Sequence, residues 1–267
     1  MPKSKPTPTY ADGRAYERQM GQWSRSVGMD FIDWLALPSG LRWLDVGCGT
    51  GAASAAILEI CSPHEVVGVD PSEGQVAFAD SNISESRAQF LVGDAQSLDF
   101  EDNTFDVAVA ALLLNLVPDT NKVVAEMRRV VRPLGTVAAY VWDTAGGGHL
   151  MGPLVTALKS VDPETTAGGF GRAVRGEDDL LEIFAEENLS STDTQSFEVL
   201  VRYESVDDYW DVVMHAQGQH GNRIRSLDAQ ALDRLRQSLF EIVPPREDGT
   251  VTYTARIWAI RGLVSEA

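Results

Sequence analysis

The chain has 267 residues, 44% of them hydrophobic, enough to bury a sizeable core in one large domain or one domain with a cap. Its 22 Lys and Arg against 39 Asp and Glu leave a formal net charge of −17, which repels phosphate backbones and argues against nucleic acid as the main partner. No apolar run approaches the ~20 residues that span a bilayer, and two cysteines cannot build a disulfide framework, so a cytoplasmic protein without a membrane span is expected.

The opening MPKSKPTPT is polar and proline-rich and reads as a flexible lead; no apolar run follows its lysines, as it would in a signal peptide. In YERQMGQWSRSVG, Tyr16, Met20 and Trp23 recur at helical spacing, the mark of a helix with one apolar face. Residues 42–46 are an apolar strand that runs into LDVGCGTG, where Asp45 precedes Gly47, Gly49 and Gly51. Glycine accepts positive φ and has no Cβ, so the chain can turn sharply there and a ligand can touch the backbone. Helix-forming residues 52–60 follow, giving the strand, glycine turn and helix found at nucleotide sites of α/β proteins.

Further strands are expected at 65–69, 88–92, 105–110 and 136–141, most of them separated by helices, in the rhythm of a parallel sheet covered on both faces. Ser72, followed three residues later by Gln75, caps a helix directly after the second strand. RPLG at 132–135 places a turn between a helix at 121–131 and the fifth strand. After Trp142 the rhythm changes: glycine runs at 146–148 and 168–171 flank an apolar stretch, 150–158, and read as a mobile cover. A helix at 177–187, a strand at 194–203, helices at 206–214 and 227–242, and an alternating strand at 251–261 complete the chain. The one basic stretch, HGNRIR at 220–225, reads as a solvated loop.

The glycine turn suits two kinds of ligand. GCGTGA satisfies the dinucleotide pattern G-x-G-x-x-A, and Asp70 lies near the distance at which an acidic residue takes a ribose diol, so an NAD(P)-dependent oxidoreductase is one reading. Asp45 beside the turn and Asp94 after the third strand favour another. Carboxylates would face a pyrophosphate with like charge but attract the ammonium and sulfonium of S-adenosylmethionine.

Over roughly residues 10–142, the segments LDVGCGTG, VVGVDPS, FLVGDAQSLDF, FDVAVA and EMRRVVRPLG follow one another in an order and spacing that resembles the class I S-adenosylmethionine-dependent methyltransferases, in particular the type-11 group that includes ubiquinone and menaquinone biosynthesis enzymes. The resemblance implies a Rossmann-like α/β fold with a seven-stranded sheet of order 3-2-1-4-5-7-6, strand seven alone antiparallel, and a helical lid. It implies that Gly47, Gly49 and Gly51 pass under the methionine portion while Asp45 balances its ammonium. Asp70 would accept both ribose hydroxyls, Asp94 would accept the adenine amino group, and the Ala95 amide would donate to a ring nitrogen. Ala110 and its neighbours would lie near the sulfonium. A covering N-terminal helix would bring Trp23 to the sulfonium and Arg25 to the methionine carboxylate, although packing alone also accounts for the spacing of Trp23.

The expected organisation is a tail and cofactor-covering helices at 1–40, an S-adenosylmethionine-binding core at 41–142, a lid and acceptor-side insertion with strand six at 143–250, and a final core strand at 251–267. The expected reaction moves a methyl group to a small molecule by in-line displacement and leaves S-adenosylhomocysteine. Alignment of acceptor and methyl supplies much of the acceleration, and no His or Cys spacing suggests a metal site. A base for a phenol or enol acceptor would come from His149, His215 or Asp143. His149 also reads as a plain loop residue, and His215 as a helix-end residue suited to the dipole. Asn115 stands where many relatives carry a histidine after strand four, so no base is expected there. Cys48 is a small residue in the turn. Trp142, Phe170, Tyr209, Trp210 and Met214 outline a partly apolar acceptor pocket. A homodimer and a cofactor-binding protein without catalysis both stay open.

Overall fold

The computed structural model describes residues 22–163, 165, 174–216 and 218–266. The expectations for Tyr16, Met20, Phe170 and the glycine run at 168–171 lie outside the described residues. A sheet of seven strands, β1 (Arg42–Val46), β2 (Glu65–Asp70), β3 (Ala88–Val92), β4 (Phe105–Ala111), β5 (Val131–Trp142), β6 (Leu189–Tyr203) and β7 (Val251–Val264), runs in the order β3-β2-β1-β4-β5-β7-β6. Pairings among the first five strands are parallel, and β7 is antiparallel to both β5 and β6. Strand β7 alone therefore opposes the rest, as the resemblance implies.

Nine helices are described: α1 (Gln22–Leu35), α2 (Ala52–Ile60), α3 (Glu73–Asn82), α4 (Thr120–Val130), α5 (Gly152–Val161), α6 (Glu177–Glu186), α7 (Val206–Met214), α8 (Gly218–Arg225) and α9 (Ala229–Ile242). Several begin at a side-chain cap, which satisfies an amide that the first helical turn leaves unpaired. Ser72 takes the Gln75 amide, Asp119 that of Lys122, Ser205 that of Asp208 and Asp228 that of Ala231. The first of these pins α3 at the residue the sequence indicates.

Strands β1, β4 and β5 carry apolar runs at 43–44, 107–110 and 137–142 that are buried on both faces. One face meets α1, α2, α5 and α9 in a cluster around Phe31, Trp43, Ile57, Tyr140, Leu154 and Leu239. The other meets α4 and α6 through Val123, Met127, Leu180, Ile183 and Phe184. Burial of these side chains on both sides fixes the carboxyl ends of β1, β2 and β4 as one rigid rim.

Four expectations change. Residues 132–135 belong to β5 and do not form a separate turn; Leu134 adopts φ 61 and the β4 pairing shifts between Phe105 and Val107, so the proline sits at a bulge where its missing amide costs no ladder bond. The stretch read as part of a cover forms helix α5, whose Leu154, Val155, Ala157 and Leu158 are buried. The basic stretch falls in helix α8. Strand β6 starts at Leu189, five residues before expected, with an irregularity between Ser190 and Asp193.

The glycines at 146–148 serve close packing. Gly146 donates its amide to Asp143 (2.7 Å), the Arg256 amide donates to the Gly148 carbonyl (2.7 Å), and a Cβ on Gly148 would stand 2.8 Å from the Arg256 Cβ. A Cβ on Gly146 would collide with the Asp143 carboxylate. Gly147 alone uses a positive φ, 76. This segment is a close-packed latch on β7.

Candidate functional site

The turn after β1 is lashed to the end of β2: Gly47 and Cys48 both donate their amides to the Val69 carbonyl, at 2.7 and 3.1 Å. Gly47, Gly49 and Gly51 hold φ of 72, 53 and 88, the left-handed region that side chains resist. Their surroundings differ. A Cβ on Gly47 would lie 2.6 Å from Leu113 and one on Gly51 2.6 Å from Ile83, whereas one on Gly49 would meet nothing nearer than Gln75 at 4.0 Å. Gly49 is the glycine that faces open space.

Asp45 lies beneath the turn, fully buried. Its Oδ2 accepts from the Ser54 amide (3.0 Å) and the Ser54 hydroxyl (2.6 Å), while Oδ1 has no partner. Burial pushes this carboxyl up to about 6; the Ser54 bonds pull it down and the charge of Asp70 pushes it further up. An unpaired buried carboxylate oxygen is costly unless a cation or donor reaches it. Asp70, at the end of β2, accepts from the Gly49 amide (3.1 Å) and the Ser72 amide (2.9 Å), and burial raises it as well. Asp94 is exposed and takes the Gln96 amide and carboxamide on Oδ1, and Ala95 beside it is buried. The three carboxylates and the glycine turn thus share one rim, built by β1, β2 and the loop after β3.

A cavity of about 40 Å³ opens at the turn, lined by Gly47, Cys48, Gly49, Ala111, Leu112 and Tyr140 among others. It has room for no more than a few water molecules. Ala110 is fully buried in the cluster on the α4 side, so the wall at the tip of β4 comes from the next two residues, with Leu112 at φ 55. The Cys48 thiol is raised well above its ordinary range by burial and by the nearby Asp45 and Asp70, which leaves it protonated and unreactive.

The remaining sequence candidates occupy different places. Trp23 is buried with its ring edge on Tyr203, 5.4 Å between centroids, and is not among the residues lining the cavity. Arg25 is exposed on α1. His149 accepts the Met151 amide at Nδ1 (3.0 Å) and sets its ring edge against Trp142; burial, aided by the charge of His220, lowers it to about 4. It is a neutral imidazole with its proton on Nε2. Asp143 is buried; its Oδ1 accepts from the Gly146 amide, and its Oδ2 accepts from the Arg256 guanidinium at 2.6 and 2.7 Å. His215 ends α7 in the open, with Nδ1 2.8 Å from the Asp211 carbonyl. Of the acceptor-pocket list, Tyr209 stacks on Tyr203 at 4.3 Å and Trp142 is buried with its indole nitrogen unpaired. Trp210 and Met214 are partly buried against the same cluster.

Sequence reasoning did not single out Ser54, Tyr140 or Leu113, and it read Ser72 only as a helix cap, not as an amide held by Asp70. Ser54 had no signal beyond its place on the first turn of α2, nine residues after Asp45. The segment EMRRVV carries positioning rather than contact: Glu126 accepts the Leu98 amide and Arg129 binds the carbonyls of Leu98 and Phe100, which holds the loop that follows Asp94. A second cavity, about 250 Å³, lies at the ends of β5 and β7 near α6, where Asp143 with Arg256 and Asp179 with Arg175 neutralise one another. Among the described residues no group of three potential metal ligands occurs, and no helix is long and apolar enough to cross a membrane.

The family model described as a methyltransferase domain matches residues 44–139. The sterol 4-C-methyltransferase strm-1 of Caenorhabditis elegans is 33% identical over 119 residues, 43% of this chain and 35% of that protein. The demethylmenaquinone methyltransferase of Bacillus licheniformis is 38% identical over 103 residues, 38% of this chain and 44% of that protein. The chain thus spans less than half the length of the curated relatives it matches. Among solved structures, the phosphoethanolamine N-methyltransferase 2 of Haemonchus contortus in complex with S-adenosyl-L-methionine aligns with a TM-score of 0.61 at 16% identity, covering 100% of this chain and 62% of that one. That likeness is one of fold.

Proposed function

We propose that residues 44–139, which match the methyltransferase-domain model, form a class I methyltransferase domain of the type-11 group, and that the chain transfers a methyl group from S-adenosylmethionine to a partly apolar small molecule. The carrying observation is the fully buried Asp45, whose Oδ1 has no partner beneath a turn of three left-handed glycines. That atom suits an ammonium and repels a pyrophosphate. The donor supplies a methyl group on an already activated sulfonium.

The residues of the rim hold and orient it. Asp70 keeps lone pairs beyond those taken by Gly49 and Ser72, enough for a ribose diol. Asp94 Oδ2 and the Ala95 amide serve the adenine edge, and Gly49 gives backbone access. The wall near the sulfonium is Ala111 and Leu112, beside Ala110. The 40 Å³ cavity is far smaller than a nucleoside, so binding must displace the tip of β4 around Leu112 and Leu113.

Residues 1–40, with Trp23 and Arg25, are assigned to covering this site, residues 41–142 to donor binding, residues 143–250 to the acceptor side, and residues 251–267 to closing the sheet. Of the base candidates, His149 carries an Nε2 proton and fits a donor role toward an acceptor; Asp143 and His215 are assigned to structure. Alignment of acceptor and methyl does most of the work, as in other displacements with a good leaving group. The setting is cytoplasmic. Incubation with methyl-labelled donor and a panel of quinol, sterol and amine acceptors tests the reading. Label transferred to at least one acceptor, and reduced in Asp70→Ala at donor concentrations that do not saturate the variant, is expected; donor that binds but never releases its label to any of them would contradict it.

A further inference from the structure

Strand β6 ends the sheet, and among the described residues no strand pairs with its outer edge. Natural edge strands are blunted by shortness, proline, lysine or bulges. The irregularity in β6 is confined to the stretch between Ser190 and Asp193, after which pairing with β7 is unbroken to Tyr203. Residues 194–203, TQSFEVLVRY, contain no proline and no lysine. Along this stretch the outward-facing backbone groups of alternate residues have no strand partner among the described residues.

The side chains along this edge have a self-complementary order. Val199, Val201 and Tyr203 are buried on one face. Glu198, Leu200 and Arg202 are exposed on the other, and Leu200, at 62%, is the most exposed large hydrophobic residue among those described. Arg202 pairs with Glu204, the residue just past the end of the strand, at 3.3 Å with both side chains at least half exposed, and it also feels the charge of Asp248. A pair of that kind contributes little.

We propose that β6 is the interface for a second copy of this chain, paired antiparallel about a twofold axis at Leu200. In that register Leu200 meets its counterpart, Glu198 faces Arg202 of the second copy, Arg202 faces Glu198 of the second copy, and Val199 stands opposite Val201. The same apolar centre and the same two charges are used from both sides, the self-complementarity a twofold interface requires. Parallel pairing in register would instead set Glu198 against Glu198 and Arg202 against Arg202. Antiparallel pairing shifted by one residue would turn the charged row toward the apolar one. The charge order therefore admits one register and excludes its neighbours. Backbone bonding along the strand supplies affinity, as in other cases of strand addition.

Sedimentation velocity of the full chain across a concentration series tests this. The wild type should associate to a dimer. Glu198→Arg and Arg202→Glu should each weaken dimerisation about tenfold or more, since each creates two like-charge contacts, and the double variant should regain it. Both substituted side chains are exposed, so circular dichroism should stay unchanged, and so should the melting temperature at concentrations where the wild type is itself dissociated. Amide exchange should report protection along residues 196–204 in the wild type and its loss in the single variants. A wild type that is monomeric throughout, a dimer indifferent to either reversal, or a double variant that stays monomeric would each overturn the proposal.

Discussion

Asp45 and Ser54 are joined by two hydrogen bonds to a single carboxylate oxygen, 3.0 Å from the amide and 2.6 Å from the hydroxyl, and the other oxygen of Asp45 is buried with no partner. Ser54 fixes the carboxylate in rotation, so its open oxygen is directed by the fold and not by a ligand. Burial raises this group to about 6.

The first consequence is a pH dependence of donor-product binding. A ligand ammonium favours ionised Asp45, so affinity for S-adenosylhomocysteine should be level above pH about 6 and should fall as pH drops through it, because a proton must leave before binding. Asp70, also raised by burial, adds to the same slope, whereas the Cys48 thiol stays neutral there. Titration calorimetry between pH 5 and 8, an interval centred roughly on this value, should lose most of its slope in Asp45→Asn. A slope unchanged in that variant would remove Asp45 from the ammonium.

Asp70→Ala should weaken S-adenosylhomocysteine by about 1 to 3 kcal/mol, the range for hydrogen bonds to a charged acceptor. It should also loosen the turn, since the Gly49 and Ser72 amides lose their partner. Calorimetry of Asp70→Asn beside it separates the two, because the amide oxygen can keep one backbone bond. Equal affinity in both variants and the wild type would refute the ribose role.

The glycines of the turn should divide between ligand and fold. Gly49→Ala costs about 1 kcal/mol of left-handed strain and puts its methyl into open space, so binding should fall far more than stability. Gly51→Ala adds a clash with Ile83 at 2.6 Å and should lower stability by roughly 2 to 4 kcal/mol, strain and overpacking together. Urea denaturation and calorimetry of the pair check the split; two variants with the same ratio of losses would contradict it.

Arg256→Ala strands the buried Asp143 carboxylate. A loss of roughly 3 kcal/mol is expected, the low end of the cost of an uncompensated buried charge, because the Arg256 side chain is 36% exposed. The double variant with Asp143→Asn should recover part of it in denaturant unfolding. No recovery would mean that the pair does not act as a unit.

Much of the donor half was legible because its signals are local. Short apolar runs separated by helical segments mark β1 to β5, and Ser72 with Gln75 marks the start of α3. Asp45, Asp70 and the glycines sit at strand ends, where a ligand or a cap is the usual reason for a carboxylate. The illegible parts depend on contacts distant in sequence. Ser54 gains its meaning only from the fold, and Asp143 is read differently once Arg256, 113 residues away, is beside it. The glycines at 146–148 show the limit most clearly: flexibility and close approach require the same residue, and only the packing on β7 tells them apart. Trp23 has a helical spacing that serves either ligand or core, and Tyr203 takes its ring edge.

The most direct measurement is calorimetry of the wild-type chain with S-adenosylhomocysteine and, separately, with NAD⁺ and NADP⁺. A site ringed by Asp45, Asp70 and Asp94 should bind S-adenosylhomocysteine at one site per chain and show no heat with either dinucleotide. Binding of a dinucleotide with no response to S-adenosylhomocysteine would contradict a methyl-donor site.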